Sequence, residues 1–311
     1  MSLQVLAAGP QTTVQGAPRI GLRHHGVPLG GPADPLSMAL ANRLVGRPPW
    51  ASALEIALGP ARLRFSAATR FALTGAQAKL RLDGRAVPWH RTLPASAGSV
   101  LEIGPCLAGA RVYLALAATL AADVFMDSTS TYLPAGVGGH QGRALRAGDV
   151  LAWTGEDRTL PLLETPRQLR PPLARRWTLR VVPGPDWPAG ATLAELAGLR
   201  VGARMDRMGL ALAGGGLPEV AQAAARSSEA LFPGAIQRTP DGQGFLLLAD
   251  GQTTGGYPHL LQVVRADRHL AGQLRQGDDL RLLAVDQATA QAALAHKHAL
   301  MAHWLPGLRL P

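Results

Sequence analysis

A chain of 311 residues, 47% hydrophobic and 17% charged, has an ordinary globular composition with room for about two domains, which excludes a disordered chain. The longest apolar stretch, Val112 to Met126, is too short for a helical membrane span and contains Asp123. The net charge of +10 does not amount to a nucleic-acid footprint: only Lys79 and Lys297 are lysines, the arginines are scattered along the chain, and aromatic residues are 5%.

The single Cys106 rules out an intramolecular disulfide and a cysteine cluster for metal, and it reads as a small buried residue. The first residues, Met1 to Gly9, lack a basic segment and run straight into strand-like sequence. No signal peptide is therefore expected, and a cytoplasmic location is the default. Residues 3–8 read as the first strand, ended by Gly9-Pro10. The turn-dense segment from Gly26 to Pro35 then delivers the chain to a helix over 35–45, with Asp34 as N-cap and Pro35 at the first helical position. Leu36, Leu40 and Leu44 share one face of that helix, and Gly46 closes it. Strand-like segments follow at 53–58, 61–65, 70–74, 78–82 and 100–103, a spacing that predicts an antiparallel sheet or barrel.

Internal repetition divides the chain. Leu3-Gln-Val-Leu-Ala-Ala-Gly-Pro10 is echoed by Leu179-Arg-Val-Val-Pro-Gly-Pro185. Gly-(Ser/Asp)-x-Leu occurs at Gly98–Leu101, Gly148–Leu151 and Gly277–Leu280, each time after a turn and before a short apolar run. Two related β domains are expected, at 1–160 and 177–285, with a Pro/Arg-rich linker at 161–176 and a helical tail at 286–311.

One late stretch concentrates chemistry. Phe245–Ala249 leads into Asp250-Gly-Gln-Thr-Thr-Gly-Gly-Tyr257-Pro258, and Leu260–Val264 leads out, both runs reading as buried strands. The glycines allow close backbone approach, and Asp250, Gln252, Thr253, Thr254 and Tyr257 put five hydrogen-bonding side chains on one loop. A tight turn capped by its own Asp and Thr side chains explains the same pattern. Two further polar clusters are Asp34 with Asn42 on the first helix and Asp206-Arg207 before Gly209, for which capping and a surface salt bridge are the plain alternatives. No Gly-Lys-Ser/Thr loop, Gly-x-Ser-x-Gly elbow or His-Glu-x-x-His is present, and His296, His298 and His303 have no acidic partner nearby, so metal ligation is not expected. His24-His25 read as structural or partner-contact residues.

The blocks Gly26-Val-Pro-x-Gly-Gly-x-x-Asp34, Ala41-Asn-Arg-Leu-Val-Gly46, Leu54-Glu55-Ile, Leu73-Thr-Gly-Ala76, Ser130-Thr-Tyr132 and Gly142-Arg-x-Leu-x-x-Gly-Asp149 resemble the allophanate hydrolase subunit 2 (biotin-dependent carboxyltransferase) family. So do Asp206-Arg-Met-Gly209, Pro233-Gly-Ala-Ile-Gln237 and Gln252-Thr-Thr-Gly-Gly-Tyr-Pro258, and the likeness runs over roughly 3–285. Stand-alone chains of this length in that family resemble the C subunit of bacterial 5-oxoprolinase, also known as the KipI antagonist. The resemblance implies a mainly β fold with a few helices, built as two cyclophilin-like β-barrel domains. It also implies a KipI-like B subunit and the 5-oxoprolinase A subunit as partners, and ATP-dependent hydrolysis of 5-oxoproline to glutamate by the assembled complex. Two alternatives remain open. One is carboxyl transfer from carboxybiotin, with biotin on a separate carrier because neither lysine lies in Met-Lys; the other is a non-catalytic antagonist of a kinase-inhibitor protein.

The expected catalytic residues are Asp250, Gln252, Thr253, Thr254 and Tyr257, and the expected substrate-binding residues are Asp34, Asn42, Asp206, Arg207 and Gln237. Arg207 is suited to a carboxylate or phosphate, Asp250 to a base, and the hydroxyls to orienting an amide. One departure is notable: where the family has Leu-Gly-Ser-Arg-Ser-Thr-Tyr, this chain has Thr129 in place of the arginine, which removes a bidentate fork.

Overall fold

The computed structural model describes residues 1–155, 161–191, 196, 198–220 and 227–311. They form two compact units, each contiguous in space but not in sequence. The first comprises Met1–Pro18, Gly30–Leu173 and Leu300–Arg309, and the second Arg19–Leu29, Ala174–Ala299 and Leu310–Pro311.

The first unit is a curled half-barrel of ten strands. Its main path runs Gln11–Gln15, Ala53–Ala57, Val100–Leu116, Ala61–Phe65, Ser2–Ala7, Val150–Thr154 and Thr119–Leu120. The predicted segments 70–74 and 78–82 are one strand, Thr69–Leu82, because the residues between them keep pairing with Val100–Leu116 through register shifts rather than turning. For the same reason the strand foreseen at 100–103 continues to Leu116, and much of the apolar stretch from Val112 is buried sheet. Alternation decides the faces: in Ala61–Phe65, Leu63 and Phe65 point inward and Arg62 and Arg64 outward. Phe65 and Phe71 meet in the core with ring centroids 5.2 Å apart.

Helix Pro35–Leu44 starts where expected, with Asp34 accepting from the Ser37 N–H at 3.0 Å. Its burial exceeds one face. Every residue except Arg43 is buried, because Ala39 and Ala41 let it settle closely onto the sheet. Met38 and Leu44 pack against Ala72, Tyr113 and Ala115, and each such side chain contributes roughly 1.5–3 kcal/mol.

The second unit is a closed seven-stranded barrel. The order is Arg176–Pro183, His259–Val263, Ala235–Arg238, Gly244–Leu247, Gly209–Ala213, Leu199–Met205 and Asp279–Ala284, which returns to the first strand. Leu179, Val181, Leu210, Leu212, Ile236, Leu246 and Leu261 are buried in it. The repeated Gly-(Ser/Asp)-x-Leu motifs do the same work in both units. Gly98, Gly148 and Gly277 all have φ between 82° and 95°, and strands begin at Val100, Val150 and Asp279. The pairing that follows differs, since Ser2–Ala7 lies antiparallel to Val150–Thr154 whereas Arg176–Pro183 lies parallel to Asp279–Ala284. A mainly β protein with a few helices, in two β units, is what the chain forms.

The unit boundaries are less sequential than cuts at 160, 176 and 286. Residues 156–160 lie outside the described residues, and 161–173 belong to the first unit. Thr165 N–H donates to His90 O and Thr92 N–H to Leu163 O, so this segment is held along the sheet edge. The tail forms helix Gln287–Ala302, with Asp286 accepting from Thr289 N–H at 2.7 Å. Among the described residues no helix is long and apolar enough to cross a membrane.

Candidate functional site

The loop after Leu247 and the turn at 206–209 are held together by backbone before any side chain acts. Leu248 N–H donates to Met208 O at 2.9 Å, and Asp250 N–H to Arg207 O at 3.0 Å. Gly209 is required by this contact rather than by its φ, since a Cβ there would lie 2.4 Å from the Phe245 ring. The adjacent Asp206 is exposed and accepts from the N–H groups of Met208 and Gly209 at 2.7 and 3.0 Å, a turn cap.

The bidentate partner of Arg207 lies far away in sequence. Its Nε and Nη2 donate to Asp250 Oδ2 and Oδ1 at 2.8 and 3.1 Å, with both side chains almost wholly buried. A two-pronged pair out of water is stabilised by geometry and by low dielectric, and removing one partner strands the other charge. Asp250 is thus the counter-ion of Arg207 rather than an open base. Arg19, buried in the same unit, joins this group electrostatically: burial pulls its guanidinium pKa down, while the charge of Asp250 raises it and that of Arg207 lowers it.

Above the pair the loop is polar and progressively accessible. Gln237, buried, donates to Tyr257 O at 2.9 Å and accepts from Gln252 Nε2 at 3.1 Å. Thr254-Gly255 pairs with Glu229-Ala230 as a two-stranded ribbon, and Leu231 N–H donates to Thr253 O at 2.9 Å. A side chain at Gly255 would strike Leu231 and crowd Gln237, so glycine is needed for close approach. Arg23 donates to Gln252 O at 3.0 Å and to Leu231 O, and its guanidinium lies over the Phe232 ring at 5.3 Å. Thr254 and Tyr257 are exposed, and Gln252 and Thr253 are half-buried. The second unit therefore holds Arg207 with Asp250 as one buried pair and Gln237 with Gln252 and the Tyr257 carbonyl as a second hydrogen-bonded group on the same loop, with Thr253 tied to Leu231 through its carbonyl and Asp206 capping the turn.

Asp34 and Asn42 belong to the first unit and are both buried. Asp34 caps its helix through Ser37, while its own N–H donates to the Tyr113 hydroxyl at 2.8 Å. Asn42 Nδ2 donates to Pro49 O and Ala51 O at 3.1 and 2.8 Å, tying the helix end to the following turn. Around Asp34 lies a network that sequence reasoning missed. Glu55 accepts from the Tyr113 hydroxyl at 2.7 Å and from Ala33 N–H at 2.8 Å, and Arg111 lies 3.5 Å away. Burial, then the charges of Glu55 and Asp34, raise the Tyr113 pKa well above the usual phenol value. Alternation in Leu54-Glu55-Ile56 would send Glu55 to the outer face, and only a strand buried on both faces makes position 55 an inward one. Thr129, at the position of the missing arginine, shares a 2.7 Å hydrogen bond with the Ser52 hydroxyl, and a Cβ on Gly16 would collide with its Oγ1.

With this geometry in hand, comparison with known proteins places the chain. The family described as carboxyltransferase domain, subdomain A and B, matches residues 25–284. The chain belongs to that carboxyltransferase-domain family. It is similar to the 5-oxoprolinase C subunit of Escherichia coli, 34% identical over 287 residues that cover 90% of each chain. It is also similar to the urea amidolyase of Saccharomyces cerevisiae, 29% identical over 94% of this chain but only 17% of that protein. The crystal structure of the K. lactis urea amidolyase superposes with a TM-score of 0.86 and 26% identity over 100% of this chain, which spans 20% of the larger one. Every expected site residue of this carboxyltransferase-domain chain lies inside the matched segment, whereas Arg19 and Arg23 precede it.

Proposed function

We propose that the chain is the C-type subunit of an ATP-dependent 5-oxoprolinase-like amidohydrolase, opening 5-oxoproline to glutamate together with a KipI-like B subunit and the 5-oxoprolinase A subunit. The observation that carries this reading is reciprocal coverage. The match to the E. coli 5-oxoprolinase C subunit spans 90% of both chains at 34% identity, whereas the urea amidolyase match covers 17% of a longer polypeptide at 29%.

In this reading the buried Arg207–Asp250 pair is a positioning element that fixes the loop, and Gln237 and Gln252 brace it from within. Thr253, Thr254 and Tyr257 present hydroxyls to the substrate amide. Lactam hydrolysis adds water across the C–N bond, leaving a carboxylate and an amine, and such donors stabilise the oxyanion that develops on the way. Asp34 and Asn42 hold the helix Pro35–Leu44 of the first unit in place through its cap and the turn that follows it. ATP is assigned to the complex, and no residue of this chain is assigned to it. A second reading, carboxyl transfer from carboxybiotin, is favoured by the full-length superposition on the K. lactis urea amidolyase.

The test is glutamate release from 5-oxoproline by this chain mixed with its two partner proteins. Release that requires ATP and all three chains is expected, and Thr254→Ala with Tyr257→Phe should lower it at least tenfold with the complex intact. A stable complex that releases no glutamate, yet carboxylates urea when given carboxybiotin, would replace this reading with the second.

A further inference from the structure

A groove of about 480 Å³ lies in the second unit between the barrel and the start of helix Gln287–Ala302, away from the 250–257 loop in sequence and sharing no residue with it. Its volume falls within the usual range for small-ligand sites, about 300–1,000 Å³. Two guanidinium groups line it. Arg268, half-buried, donates through Nε to Val263 O at 3.4 Å, and Arg265 donates through Nε to Leu310 O at 2.7 Å. Neither forms an ion pair with any described residue. Arg23, whose hydrogen bonds also go to backbone carbonyls, adds its charge: burial first, then Arg265 and Arg23, pull the Arg268 pKa down to about 10. Neutral carbonyls do not balance clustered cations at a partly dry site, and an anion would. The carboxylate that also lines the groove, Asp286, is engaged as the cap of Thr289.

The remaining walls fit the rest of a ligand. Gln287 and Gln291 line the groove one helical turn apart and offer amide donors to a second oxygen, while Val285 and Leu294 are apolar. We propose that this groove binds a small organic anion, with a carboxylate or phosphate head between Arg265 and Arg268 and an apolar body against Val285 and Leu294. The site is independent of the amidohydrolase reading, and its test does not use turnover.

Phenyl phosphate, benzoate and neutral benzyl alcohol are titrated calorimetrically into the full chain. Saturable one-to-one binding of at least one anion, with the alcohol at least tenfold weaker, is expected. Preference between the two anions then assigns the head group. Because Arg268 packs against Gly234, with its Cγ 3.3 Å from where a Cβ there would sit, Arg268→Met risks disturbing the fold; the exposed Arg265→Gln is the primary variant. It should weaken the anion about tenfold. Asp286→Asn keeps a capping side chain but removes the competing charge, and should tighten binding several-fold. Equal affinity for the alcohol, no binding of either anion, or anion affinity unchanged in both Arg265→Gln and Asp286→Asn would overturn the proposal.

Discussion

Each unit buries a carboxylate against an arginine, and the surroundings make them different devices. Glu55 sits within the sheet, on a strand paired on both sides, and serves Ala33 N–H, the Tyr113 hydroxyl and Arg111 together. Asp250 sits on a loop, bound by both oxygens to Arg207, with half-buried and exposed hydroxyls only a few residues further on. The first carboxylate knits helix, strand and turn into one core. The second fixes a loop whose outer face stays accessible, which is how a rigid scaffold presents chemistry.

The largest expected effect tests whether both pairs are true buried charges. Glu55→Ala and Asp250→Ala should each lower unfolding free energy by about 3–5 kcal/mol, because each strands a cation away from water. Replacing both Arg207 and Asp250 with apolar residues should recover most of the loss while turnover stays low. A loss below about 1 kcal/mol in urea denaturation of either single variant would break the comparison. Next comes acid sensitivity in the first unit. Burial, with the charge of Arg170, lowers the His90 pKa to about 4 from 6.5. The folded state then binds fewer protons than the unfolded chain, so this contribution is full above pH 6.5 and is lost as pH falls towards 4. It amounts to about 3 kcal/mol, and His90→Leu should flatten that slope in a pH series of denaturation curves. Asp34→Ala should cost about 1–2 kcal/mol as the loss of a buried cap, visible as a lower Tm. The smallest effect sharpens the contrast from the other side: Thr254→Ala on the exposed loop should move stability by no more than about 0.5 kcal/mol, while activity of the complex falls.

Local signals were read correctly where a residue acts on its own neighbourhood. The cap at Asp34, the helix after Pro35, the two strands flanking 250–258 and the turn glycines at 98, 148 and 277 follow from backbone restrictions that act over a few residues. The merger of 70–74 with 78–82 escaped notice because glycine and polar residues within a long, shifted strand resemble a turn until the partner strand is known. Arg207 looked paired with Asp206, its neighbour in sequence. Its bidentate partner proved to be Asp250, 43 residues on.

The sequence by itself determined the β-rich class, the internal repetition, the family blocks and the polar loop, since composition, periodicity and turn chemistry are local properties. Only the tertiary structure decided that the second sheet closes through a parallel strand pair, that residues 19–29 join the second unit, and which carboxylate neutralises which arginine. Those outcomes depend on which buried polar groups can satisfy one another once the chain is packed. Partners distant in sequence meet only then.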